Sequence, residues 1–147
     1  MAMIPACRVL IVAVLCVSAC TQPVPGVLTL APAGMRISGT ATPHPDGTLA
    51  MTDGCTAESE VYADAGTVTI TITASASVPD RPASVEVWFA GTSIGSQPVP
   101  AGTRTAIAFH ARSHSSGPFA LRLVAHAAGA DPGAAAVEVE KVVITEP

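Results

Sequence analysis

Residues 66 to 77 read GTVTITITASAS. Val68, Ile70 and Ile72 fall on one parity, and Thr67, Thr69, Thr71 and Thr73 on the other. Successive side chains of a strand leave opposite faces, so the stretch predicts a strand with one dry side and one wet side. Threonine suits the wet side because its branched Cβ fits the pleat. The same period recurs downstream. In SVEVWFAG (84–91), Val85, Val87 and Phe89 oppose Glu86 and Trp88. In TAIAFH (105–110), Ile107 and Phe109 oppose Ala106, Ala108 and His110. In FALRLVAH (119–126), Phe119, Leu121 and Leu123 oppose Arg122, Val124 and His126. In AVEVEKVVIT (136–145), Val137 and Val139 face inward, and the phase then shifts near Lys141. A β-bulge at that point is expected.

Turn signals separate these runs. They include Pro45-Asp46-Gly47, Asp53-Gly54, Gly91-Thr92, Ala101-Gly102, Gly117-Pro118 and Asp131-Pro132-Gly133. Short alternating strands with frequent Gly/Pro turns predict an all-β antiparallel sandwich over residues 34–147, jelly roll or immunoglobulin-like, with about eight strands. Ala127 to Ala136 is alanine-rich, but Gly129, Pro132 and Gly133 break any helix there.

The start of the chain has another character. Arg8 precedes the apolar run Val9–Val17, and the small residues Ser18 and Ala19 follow. A basic head, a short apolar run and a small-residue site define an export signal over residues 1–19. Pro5 and Arg8 interrupt the run, and no basic cluster follows it, so a permanent span is not expected. Val17-Ser18-Ala19-Cys20 resembles the lipobox of bacterial lipoproteins. That resemblance implies cleavage before Cys20, acylation of Cys20 and attachment to the extracytoplasmic face of the cell membrane, with the lipid bilayer as partner. Two or more acyl chains give a stable anchor where one gives marginal binding. Ordinary cleavage after Ala19 is the alternative.

Residues 20–33 contain prolines and no charge and read as an extended tether; Val27-Leu28-Thr29-Leu30 within them reads alternatively as a first edge strand. Cys7 and Cys16 leave with the signal. If Cys20 is acylated, Cys55 remains as a buried small residue or a free thiol. If it is not, a Cys20–Cys55 bridge is open.

Removal of the signal takes away only Arg8, which leaves six basic against eleven acidic side chains. The basic residues are scattered singly, so a nucleic-acid partner is not expected. His110 and His114 lie four apart, but where a strand enters a turn rather than on a helix, so no metal site is expected. No nucleotide loop or zinc signature occurs. The acid pairs Glu58/Glu60 and Glu138/Glu140 share strand faces and read as charged edges that block strand-to-strand aggregation. No enzyme and no cofactor is expected.

The order of elements carries a second resemblance. A glycine-opened strand (66–77) is followed by VEVWFAGTSIGSQPV (85–99), a T-x-I-x-F strand (105–109), GPFALRLVAHAAG (117–129) and VEVEKVVIT (137–145). This order resembles the jelly-roll carbohydrate-binding modules attached to polysaccharide-degrading enzymes, especially the calcium-dependent xylan-binding kind. The resemblance implies a calcium- and sugar-binding loop at residues 127–134. The chain departs from that pattern. Ala90 replaces the aspartate of the turn, Phe119 replaces a histidine, and the loop AAGADPGA offers one carboxylate, Asp131.

Trp88 is the sole tryptophan. Its parity places it outside the core with Glu86, and Arg122 and His126 share the non-core parity of their own strand. If the two strands are neighbours, these four residues form one polar face with an aromatic centre, a natural platform for a sugar ring. Otherwise Trp88 packs under the tether or a loop. The expected function is a membrane-anchored, non-catalytic binding domain for a polysaccharide. The alternative is a structural or protein-interaction sandwich of the cell envelope with a protein partner.

Overall fold

The computed structural model describes residues 26–78, 82–127 and 134–146. The export signal, Cys20 and Asp131 lie outside these residues. The described chain holds eleven strands. The short ones come first: β1 (Val27–Leu30), then a 3-10 turn at Pro32–Gly34, β2 (Arg36–Ser38), β3 (Ala41–Pro43) and β4 (Leu49–Thr52). The longer ones follow: β5 (Thr56–Ala63), β6 (Gly66–Ala76), β7 (Ala83–Phe89), β8 (Thr92–Pro98), β9 (Thr105–Ser113), β10 (Gly117–Ala127) and β11 (Ala135–Thr145).

They form two antiparallel sheets. One runs β3-β4-β11-β6-β9, with β1 also paired to β11; the other runs β2-β5-β10-β7-β8. Apart from the hairpins β3–β4 and β7–β8, consecutive strands lie in different sheets. The inward parities of the two sheets meet as one core. Val68, Ile70 and Ile72 of β6 and Leu121 and Leu123 of β10 are wholly buried. Each such side chain contributes about 1.5–3 kcal/mol of burial. The fold is therefore the all-β sandwich that the alternation predicts. The expected bulge is present too: the β11–β6 register shifts between Val139 and Lys141.

Four details differ from the sequence expectations or decide between them. Eleven strands replace about eight, because β1, β2 and β3 are only three or four residues long. Val27–Leu30 does not belong to the tether but pairs with Thr145 to Val142 of β11, so the sandwich begins before residue 34. Its backbone completes the hydrogen bonding of β11 beyond the point where β4 stops. Of the acid pairs, Glu138 is interior, paired on both sides by β4 and β6, whereas Glu60 lies beyond the end of β2 on a stretch of β5 with a neighbour on one side only. Cys55 is buried and has no disulfide partner among the described residues, and desolvation pushes its thiol pKa up.

The two ends of the described chain are fastened together. The Glu146 amide donates to the Gly26 carbonyl at 2.7 Å. Gly26 takes φ +98°, and a Cβ there would sit 2.8 Å from the Glu146 carbonyl oxygen. Only glycine fits this approach. The Glu146 carboxylate in turn accepts from the Asp64 amide at 2.6 Å.

Candidate functional site

The outer face of the five-stranded sheet gathers the residues that parity had singled out. β7 and β10 are neighbours, with Trp88 directly opposite Arg122, Glu86 opposite Val124 and Ser84 opposite His126. The Arg122 guanidinium carbon lies 5.9 Å from the Trp88 ring centroid. That is within cation–π range and holds the ring in place. His126 Nε2 lies 3.1 Å from Glu86 Oε1. An ionised carboxylate only accepts, so Nε2 carries the proton. The four predicted residues therefore form two linked pairs on one face.

Sequence reasoning missed three further members. Glu58 on β5 faces Arg122 across the ladder on one side and Arg36 of β2 on the other. It accepts from Arg36 at 2.5 Å and from Arg122 Nε at 3.2 Å. The Ser93 hydroxyl, from β8, donates to Glu86 Oε2 at 2.9 Å. Both acids respond electrostatically. Hydrogen bonds from Arg36 and then Arg122 hold the Glu58 carboxyl below the ordinary glutamate value. Hydrogen bonds from His126 and then Ser93 do the same for Glu86. Ser93 and His126 thus converge on one carboxylate.

The face carries Arg36 and Arg122 against Glu58, Glu86 and the exposed Glu60. Trp88 is half-buried at its centre, and Tyr62, 65% exposed, stands on the same parity of β5 as Glu58. Tyr62 is displaced from Glu58 by roughly 13 Å along the strand. At the other end a recess of about 370 Å³ opens beside His126, between Ser84 and Pro98. The described part of the supposed tether, β1, lies on the opposite sheet and does not cover Trp88. The arrangement offers an aromatic surface for an apolar ring face, with fixed donors and acceptors beside it for hydroxyls.

Calcium takes six to eight oxygens, usually with several carboxylates. The loop 127–134 offers one, Asp131, and no three acid, histidine or cysteine groups converge among the described residues. The residues do not fit the calcium site that the jelly-roll resemblance implies. Glu138 and Glu140, on the outer face of the other sheet, both pair with Arg104, at 3.5 and 3.4 Å.

No protein-family model matches the sequence, and no curated protein matches it. Solved structures do match the fold. The CBM36-1 domain of a multidomain xylanase from the hindgut metagenome of Trinervitermes trinervoides superposes with TM-score 0.66 at 14% identity, over 82% of this chain and 98% of that one. The carbohydrate-binding module CBM6cm-2 of Cellvibrio mixtus lichenase 5A, solved with cellotriose, gives 0.61 at 16% identity, over 83% and 98%. A carbohydrate-binding module, CBM36, solved with calcium and xylotriose, gives 0.57 at 16% identity, over 81% and 98%. At such identities the likeness establishes the jelly-roll fold.

Proposed function

We propose that this chain is a surface lipoprotein whose sandwich is a non-catalytic carbohydrate-binding domain, with the sugar chain lying across the outer face of the five-stranded sheet. One observation carries the reading: Trp88 is held by Arg122 at the centre of the face, and the charges next to it, Arg122, Glu58, Glu86 and His126, are already paired. Such a face favours a neutral, hydroxyl-rich ligand with an apolar ring side over an ion. The jelly-roll neighbours, two of them solved with oligosaccharides, support the choice. The anchor rests on Val17-Ser18-Ala19-Cys20.

The test is a titration of the protein with a polysaccharide panel, read by the emission of its single tryptophan and by calorimetry. A saturable change with one polymer is expected, insensitive to chelator. Trp88→Ala is expected to weaken the calorimetric affinity about tenfold, the scale of an aromatic contact. No response to any polymer would shift the reading to an envelope-protein partner. Separately, labelled palmitate should enter the wild type and not Cys20→Ser.

A further inference from the structure

Each sheet ends in a free edge strand, β8 in one and β9 in the other. The two edges run along the same side of the sandwich, bridged where the Gln97 amide donates to the Ala108 carbonyl at 3.5 Å. Nearer the β7–β8 turn the seam opens into a cleft of about 550 Å³. That volume suits a small molecule. Phe89 and Phe119 line it, their centroids 5.3 Å apart and their planes tilted by 37°. Ile94 adds a third apolar group, and Arg112 and His114 also line it. Trp88 and Phe89 are consecutive on β7 and leave opposite faces, so this cleft is separate from the Trp88 face.

We infer that the cleft is a second binding site, for a small aromatic carboxylate. Three observations converge. Phe89, Phe119 and Ile94 form an apolar wall that matches a ring face, while Thr92, Ser113 and Ser115 add hydrogen-bonding groups elsewhere in the lining, so the ligand combines an apolar ring with a polar end. Arg36, Arg104 and Arg122 all hold carboxylates, whereas Arg112 has none among the described residues. No acidic side chain lines the cleft, so its charge complement is an anion, and the guanidinium fork matches a carboxylate in geometry as well as sign. The third observation is Ala90, which borders the cleft at φ 53°. A non-glycine residue in this conformation is strained, and asparagine or glycine ordinarily occupies it. The strain is retained where a methyl group leaves the opening clear.

The experiment is calorimetry on the full chain with cinnamate, with cinnamyl alcohol and with glucuronate. Saturable binding of cinnamate is expected, with the neutral alcohol and the Arg112→Gln variant each weaker by about tenfold, the scale of a charged hydrogen bond. Trp88→Ala should leave cinnamate binding unchanged, which separates this site from the polysaccharide face. Absence of cinnamate binding would overturn the inference while leaving the Trp88 reading intact. So would glucuronate binding as tightly as cinnamate, or equal affinity in Arg112→Gln.

Discussion

Glu58 shows what a single side chain does on this face. Two arginines reach it from two different strands, and its carboxyl is held below the ordinary glutamate value near 4.5. A carboxylate with a lowered folded value stabilises fully above its unfolded value, and that contribution disappears as pH falls through the folded one. Arg122 is also the group over Trp88, so Trp88 emission reports the change. Wild type and Glu58→Gln, titrated by fluorescence from neutrality into acid, should give curves that run parallel above about pH 4.5 and diverge below it. Divergence centred above that value would contradict the pairing. The residue scale also shows where sequence reading stops. Glu86, Trp88, Arg122 and His126 were legible because parity alone puts them outside the core. Glu58 and Arg36 obey the same parity, but β2 lies beside β5 only through the order of strands in the sheet. Nothing local in RIS or TAESEVYA encodes that neighbour. Ser93 was missed for a related reason: it reaches Glu86 across a bulged β7–β8 register.

Among the elements, β6, β7, β9 and β10 were legible because each alternates between core and surface over seven residues or more, and β11 because it alternates on either side of its bulge. β8 carries no such pattern; its residues are nearly all exposed, as an edge strand permits. β1 is four apolar-rich residues in a proline-rich stretch, and tertiary pairing rather than local pattern decides its state. That pairing predicts a consequence. A chain beginning at residue 34 loses β1 and bares half of one side of β11, so it should melt lower and aggregate more than a chain beginning at residue 21, by thermal scan with light scattering. The β7–β8 turn gives the opposite sign. Ala90 and Gly91 take φ 53° and 81° in a two-residue loop, the geometry that Asn-Gly prefers. Ala90→Asn should stabilise by about 0.5–1 kcal/mol in denaturant melts. A lower midpoint would show that the methyl group is needed for packing.

At the scale of the whole molecule, the clasp between Gly26 and Glu146 fixes where the sandwich is held. Glu146 also binds the Asp64 amide, so the chain enters at the end where β5 turns into β6. Tyr62 stands near that end, and His126 and Ser84 stand toward the other. With Cys20 acylated as proposed, the six residues onward to Gly26 span at most about 20 Å. The strands themselves are up to eleven residues long, roughly 36 Å. The leash is shorter than the body it holds. A spacer of twenty glycine and serine residues inserted after Thr21 should therefore raise the capture of bulky, insoluble polymer by whole cells and leave the affinity for soluble oligosaccharides unchanged. Anchored in the way proposed, the protein would be moored rather than trailed, a post whose grip rises from the lipid, and a polymer on the Trp88 face would be kept within about one domain's length of the cell.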